Sequence, residues 1–190
     1  MNISYLFSLS YPADAENQEV FRQRTLRFFR YSISNMMGLI YGAGLISLVL
    51  YFYGAEKKHI ALLFLMTSAI AIMVIFISRH VIRDNFTKHK LATFLRLRIA
   101  LGCAIGLMYG LAPLLLPTEN IEQGILFLLA IYLVSIAIAI FQYSILPTYY
   151  IFFNISIFFP LTIILLYKPN EISLITIIFL LVNLKGTNTS

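Results

Sequence analysis

Long uncharged apolar runs alternate with short charged segments along this chain. A bilayer core needs about 20 mainly apolar residues per helix. Six runs approach that length: Ser32–Tyr53, Ile60–Ser78, Leu97–Leu116, Gly124–Phe141, Ile145–Tyr167 and the shorter Ile172–Leu184. No Asp, Glu, Lys or His lies within them, and Arg98 falls at the edge of the third. The pattern predicts an all-α fold: a polytopic bundle of six transmembrane helices over 32–184, after a cytoplasmic segment 1–31 and before a tail 185–190.

The segment ahead of the first run reads as a helix. Pro12 suits a first helical position, and Asp14 and Glu16 suit a first turn. Phe21 and Phe28 share one side while Arg22, Arg24, Arg27 and Arg30 spread over the other. Two readings stand: an amphipathic helix lying on the inner leaflet, or a basic flank that only sets topology.

Composition agrees with this picture. Of 190 residues, 60% are hydrophobic and 12% charged, where soluble domains are about a quarter charged. Mean hydropathy is +0.86. A soluble enzyme and a disordered chain are excluded, and the single Cys103 excludes a disulfide scaffold. The net charge of +6 reads as topological rather than as a nucleic-acid footprint. Four Arg precede the first run, Lys185 follows the last, and Arg79, Arg83, Lys88, Lys90, Arg96 and Arg98 join the second to the third. Only Lys57, Lys58 and Lys168 fall on the other side. The positive-inside rule then places both termini in the cytoplasm. The first run has no small-residue cleavage site, so it is expected to be its own insertion signal.

Within the runs, small and polar residues carry the remaining information. Gly102, Gly106 and Gly110 recur every four residues, a face for close helix packing. The partner is expected within the chain, with a homodimer seam as the alternative. Gly38 and Gly42 repeat the signal weakly. The fifth run holds Pro147 and Pro160, expected to kink it, with Asn154 between them. Asn154 reads either as an interhelical hydrogen-bond partner or, with Gln142, Tyr143, Ser144, Tyr149 and Tyr150, as the wall of a polar ligand pocket. Twelve Tyr and no Trp leave tyrosine to supply any interfacial belt, and Tyr51, Tyr53, Tyr109, Tyr132, Tyr143 and Tyr167 are placed for it.

Catalytic chemistry is not expected. No ionisable residue lies in a run interior, and no nucleotide-binding, nucleophile-elbow or zinc-protease motif occurs. His59, His80 and His89 read as solvated, not as metal ligands. No cofactor and no metal are expected.

The layout resembles a known family. A basic N-terminal helix enters the first run, and Thr93-Phe94-Leu95-Arg96-Leu97-Arg98 leads into a glycine-rich third run ending Gly106-Leu107-Met108-Tyr109-Gly110. Leu115-Leu116-Pro117 stops it, Gln123 opens the fourth, Ser144-Ile145-Leu146-Pro147 precedes the fifth, and Pro160 follows. Over residues 18–184 this resembles the six-span N-terminal membrane domain of bacterial sensor histidine kinases and diguanylate cyclases. Tyr109-Gly110 matches that family's aromatic-Gly pair, whereas Ala130 stands where it often has Gly. The family's last span runs into a kinase or cyclase. Here Lys185 to Ser190 follow, with no output domain. The resemblance implies a sensor or input module in the bacterial inner membrane, either stand-alone or a truncated sensor kinase or cyclase, signalling by helix repacking to a partner. A small oligomeric facilitator and a structural membrane protein remain as alternatives.

Overall fold

The structure is a computed structural model. It describes residues 15–84, 88–117, 119–120, 122–129, 131–132 and 146–167. It is all-helical in these residues. Helix α1 runs Ala15–Phe52, α2 Lys57–Asp84 and α3 Lys88–Leu111, and α3 passes into a 3-10 turn at Ala112–Leu115. Residues 122–129 form α4, and Pro147–Tyr167 form α5.

Among the described residues, three segments are long and apolar enough to cross a membrane: Gln18–Phe52, Lys57–Arg83 and Lys90–Leu115. Thr148–Ile164 within α5 is a shorter apolar helix. A membrane helical bundle is therefore present, but the expected six spans reduce to three on this criterion. The fourth run is only partly described, and the sixth, with the tail 185–190, lies outside the described residues.

The basic N-terminal segment is not a separate helix. Nothing in Ala15–Phe52 breaks the hydrogen-bond ladder, since no Pro or turn-forming pair interrupts it. Its 38 residues extend about 57 Å, far beyond a hydrocarbon core of about 30 Å. Phe21, Phe28 and Phe29 are buried in the same core as Met36, Ile46 and Leu50. The aromatic side of this segment thus faces other helices, which departs from the reading that lays it on the leaflet.

At the far end of α1 the chain reverses through Gly54, whose φ of 84° is open to glycine without a side-chain clash. The Gly54 and Ala55 amides bond back to Tyr51 and Leu50 carbonyls, capping α1 as it turns into α2. α1 then packs mainly along α2, and α3 mainly along α5, while α3 also touches α1 and α2. Thr67 of α2 donates a hydrogen bond to the Met108 sulfur of α3, 3.7 Å away. Away from these seams the surface is apolar: Tyr41, Leu65, Phe76 and Phe159 are exposed, a lipid-facing exterior.

Candidate functional site: a buried arginine joining three helices

α3 is the centre of the bundle, and its register explains why. Leu91, Leu95, Arg98, Gly102, Ile105 and Tyr109 fall at alternating four- and three-residue steps and are all buried. Those steps keep one side of the helix turned inward. Arg98 occupies a core position on that stripe, and its residue is 0% exposed.

The side chain lies between α1 and α5. Its Nε donates to the Ser32 hydroxyl at 3.3 Å, and one terminal nitrogen donates to the Tyr149 hydroxyl at 3.3 Å. Both contacts are longer than the usual 2.9–3.0 Å or so for this type. The guanidinium carbon sits 4.7 Å from the Tyr149 ring centre and 5.4 Å from that of Phe28, within cation–π range of both rings. The two rings themselves meet edge to face, 5.0 Å apart. The other terminal nitrogen, Nη1, is buried without a hydrogen-bond partner. No carboxylate among the described residues forms an ion pair with Arg98.

A lone buried cation is costly. Burying an unpaired charge costs several kcal/mol or so even after relaxation. Two neutral hydroxyls and two ring faces offset part of that, and a guanidinium has five donors of which two are used here. What the site lacks is an oxyanion that could take the free donor edge.

The glycine stripe of α3 forms the adjoining seam, and it is filled from within the chain by α5. A Cβ on Gly102 would stand 2.6 Å from the Tyr149 ring and 3.0 Å from Arg98 Nη1. One on Gly106 would meet the Ser156 Cβ at 2.9 Å and the Phe153 carbonyl at 3.0 Å, and one on Gly110 would strike the Ile157 carbonyl. The first glycine therefore makes room for the Arg98–Tyr149 pair, and the next two let backbone meet side chain and backbone. A Cβ on Gly42 would lie 3.5 Å from the Tyr109 hydroxyl, whereas one on Gly38 or Gly44 would meet nothing within 4 Å.

The opposite end of α3 is closed differently. The Tyr109 hydroxyl donates to the Leu39 carbonyl of α1 at 2.5 Å, and the Tyr132 hydroxyl donates to the Tyr109 carbonyl. Both rings are 0% exposed. They are core struts, not members of the expected aromatic belt. Tyr51 is exposed at 53%, in keeping with a belt position, and Tyr143 lies outside the described residues.

Comparison with protein families, with curated proteins and with solved structures finds no match. The site is therefore read from its own chemistry.

The remaining sequence candidates divide. Gln142 lies outside the described residues. Tyr150 and Asn154 are both buried, on one face of α5 four residues apart, and the Asn154 Oδ1 has no hydrogen-bond partner. Pro147 begins α5, where its missing N–H costs nothing and no kink is imposed. Pro160 lies inside α5 and is buried. His59 is exposed, 3.6 Å from Glu56, and His80 is exposed at the edge of Phe94. No group of three or more His, Cys, Asp or Glu that could hold a metal occurs among the described residues.

Arg98 itself was legible but overlooked. Counted with Arg96 as flanking charge, it looks like a topology signal. Two residues apart on a helix, however, point to nearly opposite sides, and Arg96 is exposed while Arg98 is buried. Its spacing from Leu91, Leu95 and Gly102 is the signal that separates the two.

Proposed function

We propose that this chain is a multi-pass membrane input module that changes its helix packing in response to a signal and passes that change to a partner protein. The observation that supports it is the junction of α1, α3 and α5 at Arg98. That junction is held by two long hydrogen bonds and has a donor unused. The other end of α3 is locked by satisfied tyrosine hydroxyls. A helix fixed near its C-terminal end and loosely joined near its middle has a place where two packings can differ by little. A ligand shifts such an equilibrium only by binding one packing better.

In this reading six helices span the bacterial inner membrane with both termini in the cytoplasm. The basic extension of α1 and the neighbouring ends of α2 and α3 then present the change on the cytoplasmic side, and the chain itself carries no catalytic group. The family resemblance of residues 18–184 supports the same assignment. A facilitator that oligomerises through the glycine stripe is less well supported, because α5 occupies that stripe.

Distance measurement between spin labels tests the proposal. Labels at Arg30→Cys and Phe152→Cys, both exposed positions, in a Cys103→Ser background, report the separation of α1 and α5 in liposomes. Two populations whose ratio shifts with lipid composition are expected. One unchanging population, together with solute flux through the same liposomes, overturns the input-module reading in favour of a facilitator.

A further inference from the structure

We propose that Arg98 is the binding site for the phosphate of an anionic phospholipid entering the bundle between α1 and α5. The proposal names the ligand class of the junction just described and rests on that reading for its consequence, not for the binding itself. Four observations carry it. The guanidinium is fully buried, with Nη1 unpartnered. Its two hydrogen bonds go to neutral hydroxyls at 3.3 Å, with no counter-ion among the described residues. Ser32 opens the first apolar run and Arg98 is the second residue of the third, and on those runs we place the site at the hydrocarbon boundary. The basic residues Arg27, Arg30, Lys90 and Arg96 are exposed on the same end.

The chemistry selects the ligand. A guanidinium presents a planar fork that matches a phosphate in two parallel charge-assisted bonds. At the hydrocarbon boundary the abundant oxyanion is the phospholipid phosphate, and clustered basic side chains favour a net-negative headgroup over a zwitterionic one. The Ser32 and Tyr149 hydroxyls, already beside the guanidinium, can turn their protons toward the same oxyanion. In the structure described here the site is closed by the Phe28 and Tyr149 rings. Admitting a headgroup parts those rings, so the lipid binds the opened packing better than the closed one. That difference in affinity is what an input module needs.

Native mass spectrometry of the full chain in neutral detergent tests the binding, with phosphatidylglycerol, the matching diacylglycerol and inorganic phosphate as probes. Wild type is expected to retain phosphatidylglycerol and not diacylglycerol, with free phosphate failing to displace it. Arg98→Lys keeps the charge and loses the fork, and is expected to weaken retention about tenfold, the loss of roughly one charge-assisted bond. The exposed control Arg96→Gln is expected to change it less than about twofold. Equal retention of the two lipids by wild type overturns the proposal without any variant, so a misfolded variant does not decide it. Equal loss in Arg98→Lys and Arg96→Gln overturns it in favour of unspecific surface charge. Displacement by free phosphate overturns the lipid as the source. The spin-label distances separate the two readings: lipid retained at Arg98 with unchanged distances leaves the site standing and removes the signalling role.

Discussion

Two levels of α3, its middle and its C-terminal end, solve the same problem in opposite ways. Each level carries a large polar side chain inside the bundle. At the Tyr109 end, Tyr132 donates to the Tyr109 carbonyl, Tyr109 donates to Leu39, and Gly110 sits against the Ile157 backbone. Each phenol there has its partner. At the Arg98 end the polar group is a full charge, its bonds are long, and one nitrogen has none. Buried hydroxyls satisfied in this way fix a structure, while the unbalanced buried charge is where we propose a second packing.

That contrast can be broken most forcefully at the sealed end. Gly110→Ala drives a methyl into the Ile157 carbonyl and is expected to destabilise the bundle by about 1–3 kcal/mol, as overpacking does. Thermal loss of helical circular dichroism in detergent measures it. A smaller effect is expected from Tyr109→Phe, which removes the bond to Leu39 and costs about 1 kcal/mol. An unchanged midpoint would show that this end is not locked as described. Gly44→Ala, where nothing lies within 4 Å, is expected to raise stability by up to about 1 kcal/mol through helix propensity alone. A loss comparable to that of Gly110→Ala would mean that a neighbour packs there.

The smallest effect concerns the loop between α1 and α2. Glu56 accepts a hydrogen bond from Lys58, 2.7 Å away, and that bond, with the charge behind it, holds its carboxyl below its ordinary value of 4.5. A depressed carboxyl stabilises the folded state above its unfolded pKa, and the contribution is lost as pH falls through the folded one. The Glu56 side chain is solvent-exposed, so stability should hardly register this. The carboxyl titration by NMR should, moving up toward 4.5 in Lys58→Ala. A titration that stays put would remove Lys58 as the cause.

How far the chain could be read in advance follows from the same two ends. Helices and the glycine face were legible because period and spacing act locally: Gly102, Gly106 and Gly110 fall on one side of a helix whatever surrounds it. Which helix fills that face is a tertiary matter, and only the packing of Phe153, Ser156 and Ile157 against it identifies α5. Tyr109 and Tyr132 were misplaced for a related reason. Proximity to a span end suits a belt, but it does not say which way a ring points. Arg98 was hidden by company, since a basic loop beside it made one more Arg look like topology. Span number is less legible still, because a run of apolar residues does not itself show how long a helix it makes.

The most direct test of the central claim is the stability of Arg98→Met. If Arg98 is an unbalanced buried charge awaiting an anion, the variant should melt higher than wild type in zwitterionic lipid, by about 1 kcal/mol or more. Phosphatidylglycerol should then raise wild type and leave the variant unmoved, because only the wild type binds it in the folded state. A variant that melts lower than wild type in zwitterionic lipid, and responds to phosphatidylglycerol as wild type does, would make Arg98 an ordinary structural strut and contradict the account.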